Sequence, residues 1–146
     1  GFKDLLDFCK QNGVGLVVVG GETLLAEGVA DVLSSKGIPV FGPSKAAAQL
    51  ETSKAFSKDF MERHNIPTAK YKTFSGGAAD LPAALAFAKS LQFQVVVKAS
   101  GLCAGKGVLV PASSPEDVEA ALKTVMADKA FGEGACSSVV VEEKLE

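Results

Sequence analysis

The sequence predicts an α/β protein in two parts, the end of a parallel-sheet domain and then a smaller α+β lobe. Two observations carry that expectation. The first half alternates short apolar runs with helical patterns, as βαβ units do when they lay strands side by side in a parallel sheet. The second half reads β, α, β, β, α, β, with its two middle strands joined by a loop rich in glycine and lysine, the order of a split α+β lobe.

Along the chain, FKDLLDFCKQN predicts a helix, GLVVVG a strand, TLLAEGVADVLSSKG a helix and IPVFG a strand. One long helix is expected from Ser44 to His64, because apolar and small residues recur at spacings of three and four. Ser44 suits its N-cap, and Pro67 stops the pattern. YKTF is then a strand, SGGAAD a loop and LPAALAFAKSL a helix that Asp80 caps. FQVVVKA and GVLVP are strands, Ser114 and Pro115 open the next helix at N-cap and N1, and SSVVVEE is the last strand. The boundary between the parts is expected near Pro67 to Tyr71, which assigns residues 1–70 to the first domain and 71–141 to the lobe. VVVEEKLE runs a strand straight into Glu146 and the chain opens in a helix, which reads as a piece of a larger protein.

Composition narrows the function classes. With 146 residues, 47% of them apolar, the chain can build a core. A net charge of −2 and the lack of a long basic run give no footprint for nucleic acid or a membrane surface. No apolar run approaches the roughly 18 residues of a membrane span, and the N-terminus has no signal-peptide shape. Small-molecule ligands and a cytoplasmic location follow. Cys9, Cys103 and Cys136 are odd in number and scattered, which suits reduced thiols better than a disulfide framework or a zinc site.

The stretch VVVKASGLCAGKGVLV, residues 95–110, carries the most chemistry. Glycines let a backbone approach a ligand and turn its N–H groups inward, a concavity suited to phosphate oxygens, and the lysines add full charge. The spacing is not that of a Walker A loop, and no GxGxxG follows a strand. On the residues alone the loop reads equally as a phosphate cradle or a solvated turn. Lys98, closing an apolar strand, needs a partner or an exit to water. Gly20-Gly21-Glu22 lies at the carboxyl end of a parallel strand, where open α/β sheets bind ligands, or is an ordinary tight turn. Lys54 and Lys58, at i and i+4, read as a solvated face. His64, the single histidine, sits at a helix C-terminus with no carboxylate nearby in sequence and is not assigned a catalytic role.

FGPSKAAAQLETSKAFSKDFMERHNIPTAKY, VVKASGLCAGKGV and VVVEEKLE, in that order and spacing, closely resemble the glycinamide ribonucleotide synthetase (phosphoribosylamine–glycine ligase) family of the ATP-grasp superfamily, over essentially the whole chain. The resemblance implies a pre-ATP-grasp N-terminal domain followed by the small ATP-grasp lobe, with residues 142–146 starting the hinge to a second lobe. It implies an ATP-dependent ligase of purine biosynthesis that joins glycine to 5-phosphoribosylamine through glycyl phosphate, giving glycinamide ribonucleotide, ADP and phosphate. Magnesium would assist, held by ligands outside this chain, and fusion to other purine-biosynthesis domains is an open option.

Carried over residue by residue, Lys54 and Lys98 match the family's two lysines that reach the nucleotide phosphates. Ser100 to Gly107, including Gly101, Gly105 and Lys106, match the flexible loop that closes over ATP. Glu142, Glu143, Lys144 and Leu145 match the hinge whose main chain meets the adenine edge, and Gly20, Gly21 and Glu22 match a Gly-Pro-Glu turn near the phosphoribosylamine site. None of these is assigned as a catalytic or metal-binding residue. The chain departs from the family at Gly21, where proline is usual, and at Lys144, where a large apolar residue is usual. The alternatives are a non-catalytic nucleotide-binding module of ATP-grasp type and a biotin-carboxylase-like enzyme, which GPSKAAAQLETSKAF suits less well.

Overall fold

The computed structural model describes residues 1–91, 94–112 and 114–145, and the chain divides into two compact units, Gly1–Thr52 and Ser53–Glu146. Phe93, expected to open a strand, and Glu146, expected in the hinge, lie outside the described residues.

The first unit contains α1 (Lys3–Gln11), β1 (Val17–Val18), α2 (Glu22–Glu27), α3 (Val29–Ser35), β2 (Val40–Phe41) and α4 (Lys45–Thr52). β1 and β2 pair in parallel, Val17 opposite Val40, as the βαβ pattern predicts. The core gathers Cys9, Val29, Leu33 and Ile38, with Leu5 and Leu6 from the apolar stripe of α1 packed against it. The single helix expected over TLLAEGVADVLSSKG is two. Gly28 takes a left-handed φ of +93°, and its N–H donates to the carbonyls of Leu24 and Leu25, closing α2 before α3 begins. The Ser44 hydroxyl accepts the Ala47 N–H at 3.2 Å, the predicted cap of α4.

The second unit contains α5 (Lys54–Arg63), β3 (Tyr71–Phe74), α6 (Leu81–Ser90), β4 (Val95–Ala99), β5 (Val108–Leu109), α7 (Pro115–Met126) and β6 (Val139–Glu143), with short 3-10 turns at Gly77–Asp80 and Ala135–Ser137. The helix expected from Ser44 to His64 therefore breaks. Ser53 is extended, φ −137° and ψ 106°, and its hydroxyl accepts the Phe56 N–H, so it caps a new helix and cannot continue the old one. At the far end Asn65 turns left-handed, φ 55°, while the N–H groups of Asn65 and Ile66 donate to the carbonyls of Glu62 and Met61. That Schellman arrangement ends α5 at Arg63, before Pro67 is reached. The division at Thr52/Ser53 precedes the expected 67–71 boundary, because α5 is tied to the second unit: the Lys54 N–H donates to the Ser100 carbonyl at 2.9 Å.

The sheet order is β3-β6-β4-β5, antiparallel throughout. The loop-joined pair β4 and β5 is adjacent, as expected, but β6 shares the centre with β4 and β5 is the edge. Side chains alternate across the sheet. Phe74, Val95, Val97, Ala99, Val139 and Val141 share one face and form the core with Ala84 and Ala88 of α6 and Leu122, Val125 and Met126 of α7. Each fully buried valine is worth about 1.5–3 kcal/mol. Val96, Lys98, Val140 and Glu142 occupy the opposite face, and α5 packs on β6. Ser114 and Pro115 open α7 as predicted, with the Asp117 N–H donating to Ser114. Asp80 does not cap α6: the Gly76 N–H donates to its carboxylate at 2.7 Å instead, and SGGAAD is partly a 3-10 turn.

Candidate functional site

Lys98 of β4 finds the partner that its strand-end position demanded. Val96 lies opposite Glu142 in the β4–β6 register, so Lys98, two residues on, is a diagonal neighbour of Glu142 on the same face. Its ammonium forms an ion pair with Glu142 Oε1. The other carboxylate oxygen, Oε2, lies 2.5 Å from Lys58 Nζ. That second contact is close enough for an ion pair but lacks the alignment of a hydrogen bond, leaving Oε2 without a directed donor. Glu142 and Lys58 are buried, whereas a quarter of the Lys98 side chain stays exposed.

Lys58 is held from other sides as well. Its ammonium donates to Thr68 Oγ1 at 2.7 Å and to the Ala69 carbonyl at 3.2 Å, and lies 5.2 Å from the centre of the Tyr71 ring. Sequence reasoning read Lys58 as part of a solvated face, and the structure corrects this. The available signal was spacing: Lys58 is one turn beyond Lys54, so a helix that turns Lys54 toward the lobe turns Lys58 inward too. Glu142 was read only for its main chain, although it alternates in phase with Val140 and so shares its face.

One turn earlier, two serines hold the start of α5. Ser100 Oγ accepts the Ala55 N–H at 3.0 Å, Ser53 Oγ accepts the Phe56 N–H at 3.2 Å, and the hydroxyls are 3.2 Å apart. Lys54 Nζ reaches the Gly101 carbonyl at 3.5 Å, which brings Lys54 beside the glycine loop.

The loop is anchored at its base and open at its tip. The Ala99 N–H donates to the Gly107 carbonyl at 2.8 Å, and the Gly101 N–H to the Ala135 carbonyl at 3.0 Å. A Cβ at Gly101 would meet Ala135 Cα at 2.8 Å, so that glycine is required by close approach. Ala104, Gly105 and Lys106 are exposed, with Ala104 and Gly105 both at positive φ. The Cys103 thiol donates to the Gly101 carbonyl at 3.2 Å. Burial pushes the Cys103 thiol up, against the pull of the Lys54 charge. The three cysteines are free thiols, as expected.

Glu143 and Lys144, expected in the hinge, continue the sheet. The Glu143 N–H donates to the Lys70 carbonyl at 2.8 Å and the Lys144 N–H to the Gln94 carbonyl at 2.7 Å, while the Lys144 ammonium meets Gln94 Oε1 at 3.0 Å. Leu145 is exposed. In the first unit, Gly20 and Gly21 connect β1 to α2, with Gly21 at the N-cap and Glu22 the first helical residue. His64 is the C-cap of α5, its ring 4.3 Å from that of Phe60. Among the described residues, two surface clefts of about 470 and 420 Å³ flank Tyr71 and are lined by neither Lys98 nor the glycine loop. Among the described residues no three acidic, histidine or cysteine side chains gather as metal ligands, and no helix is long and apolar enough to cross a membrane.

Comparison with known proteins fits this arrangement. The family model described as the phosphoribosylglycinamide synthetase N domain matches residues 1–51, and that of the ATP-grasp (A) domain of the same enzyme matches residues 52–146. The chain is 49% identical over 144 residues to the phosphoribosylamine–glycine ligase of Pasteurella multocida, covering 99% of this chain and 32% of that protein. It is 50% identical over 143 residues to the trifunctional purine biosynthetic protein adenosine-3 of Gallus gallus, covering 97% of this chain and 14% of that protein. The crystal structure of the phosphoribosylamine–glycine ligase of Thermotoga maritima superposes with a TM-score of 0.66 at 30% identity, over 88% of this chain and 29% of that one. The chain thus spans a third or less of the length of these relatives. With both models in sequence and together covering the chain from end to end, it belongs to the phosphoribosylglycinamide synthetase family, across the N and ATP-grasp domains.

Proposed function

We propose that this chain supplies one wall of the nucleotide site of a ligase that joins glycine to 5-phosphoribosylamine at the expense of ATP, in cytoplasmic purine biosynthesis. The observation that carries the reading is the pairing of a quarter-exposed Lys98 with a loop whose base is pinned and whose tip is open. ATP supplies the phosphoryl group that makes the glycine carboxylate electrophilic. Lys54 and Lys98 would neutralise phosphate charge, worth roughly 4 kcal/mol per pair at about 4 Å and an effective dielectric of about 20. The loop from Ser100 to Gly107, with Lys106 at its exposed tip, would close over the reacting groups and exclude water. Glu142 to Leu145 would border the adenine, and Gly20, Gly21 and Glu22 the phosphoribosylamine. The described residues offer no ligand set that fits magnesium, whose ligands would lie outside this chain. Fusion to further purine-biosynthesis domains is consistent with the trifunctional relative.

The test is glycine-dependent release of ADP in the presence of phosphoribosylamine by the protein that carries this chain, with and without Lys98→Met. The reading expects turnover that this change abolishes. Nucleotide binding without glycine-dependent turnover would favour the non-catalytic module.

A further inference from the structure

The buried face between α5 and the sheet holds two ammonium groups and one carboxylate, and they are not equivalent. Lys58 has a side-chain exposure of 9% and is surrounded by acceptors: Glu142 Oε2, Thr68 Oγ1 and the Ala69 carbonyl. Two of its donors are used on Thr68 Oγ1 and the Ala69 carbonyl, and Glu142 Oε2 stands at ion-pair distance without a directed hydrogen bond, so the ammonium is held from three sides. Lys98 pairs with the other oxygen of Glu142 and keeps 25% of its side chain in solvent. The cluster therefore carries one surplus positive charge, and it resides on the accessible member.

That asymmetry decides what happens when an anion arrives. If Glu142 had Lys98 as its sole cation, moving Lys98 to a phosphate would strand a buried carboxylate, which is strongly unfavourable. The carboxylate would also repel the incoming phosphates. With Lys58 fixed against Oε2, Glu142 stays compensated whether or not Lys98 is present. We propose that Lys58 is a positioning residue: it neutralises Glu142 permanently and so leaves Lys98 as the displaceable cation for a polyphosphate ligand. This rests on the nucleotide reading above, and its test is built to fail separately from it.

The test measures lysine acetylation rates, residue by residue, on the folded protein that carries this chain, with and without ATP. In the wild type Lys98 is modified and Lys58 is protected, and ATP slows modification of Lys98 while leaving Lys58 unchanged. Lys58→Met hands Lys98 to Glu142, so Lys98 reactivity without nucleotide and ATP affinity each fall about tenfold, the factor corresponding to roughly 1.4 kcal/mol. Adding Glu142→Gln to Lys58→Met restores both, which a purely structural role for Lys58 would not produce. Wild-type Lys98 reactivity in Lys58→Met, or a double variant no better than the single, overturns the proposal. Should Lys58→Met fail to fold, the double variant, free of buried charge, still decides: Lys98 reactivity at or above wild type supports the proposal, and a fall overturns it. A wild-type protein that shows the unliganded labelling order but no protection by ATP would sink the nucleotide reading and leave the charge division standing.

Discussion

Lys58 Nζ lies 2.5 Å from Glu142 Oε2 with both side chains more than nine-tenths withdrawn from water. A buried pair adds little net stability against an apolar replacement, but removing one partner leaves the other charge uncompensated. Glu142→Leu is expected to destabilise the chain by about 3–5 kcal/mol, and Lys58→Met/Glu142→Leu by much less. Urea denaturation midpoints of the two variants check this; equal losses would mean that packing, not charge, governs the site.

The serine pair at the start of α5 supports a second prediction. Ser53→Ala and Ser100→Ala should each cost about 1 kcal/mol, the usual loss of a helix cap. Because the hydroxyls are 3.2 Å apart, the double substitution should depart from the sum of the singles. A double-mutant cycle in urea measures the coupling, and strict additivity would show that the two caps act independently.

These serines mark where the sequence was legible and where it was not. Alternation of helices and strands, the caps at Ser44 and Ser114, and the β-α-β-β-α-β order follow from local periodicity and cap chemistry, so they could be read directly. Ser53 and Gly28 could not, because both sit inside good helical patterns and reveal the break only through backbone angles. Lys58 was misread for a different reason. A lysine four residues from another is usually solvated, and only the register that aligns β6 under α5 provides the carboxylate that keeps it inside.

Tyr71, the single tyrosine, gives a clean titration. Burial first, then the hydrogen bond its hydroxyl donates to Glu62 at 2.8 Å, the Glu62 charge and the Asp59 charge push its pKa up to about 12. The unfolded phenol loses its proton near 10, so between about 10 and 12 the native state binds more protons than the unfolded one. The stability this gives is fully present below 10 and is lost as the pH rises toward 12. Tyrosinate absorbance should show the high midpoint, and Glu62→Gln should lower it. A wild-type midpoint near 10 would contradict the geometry.

The two glycines that begin and tip the loop should respond differently to substitution. Gly101→Ala drives a methyl into Ala135 Cα, a backbone atom, and should lower the unfolding midpoint. Gly105 has open space around it but a φ of +78°, so Gly105→Val carries only a conformational penalty of roughly 1–2 kcal/mol at an exposed tip. Gly105→Val should therefore impair turnover of the ligase more than folding. Amide exchange of the loop with and without ATP provides the second measurement, with greater protection expected in the presence of nucleotide.

The last prediction concerns the two lysines that bracket the loop. Lys54 touches its first glycine through the Gly101 carbonyl, and Lys98 stands two residues before Ser100 on the strand leading into it. They approach the loop from α5 and from β4, although their positions in sequence differ by more than forty. A polyphosphate lying along the loop would have both ammonium groups within reach once Lys98 leaves Glu142. Replacing either lysine by methionine keeps most of the aliphatic length and removes the charge, so each change should weaken ATP binding by about 1.5–3 kcal/mol, the range for hydrogen bonds to charged groups. Lys54→Met should in addition raise the Cys103 thiol further, because the Lys54 charge opposes the upward push of burial. Calorimetric titration with ATP measures the first effect and thiol alkylation rates against pH the second. Unchanged affinity in both methionine variants would remove the lysines from the nucleotide site. Weakened binding in Lys98→Met alone would assign Lys54 to holding the loop through Gly101.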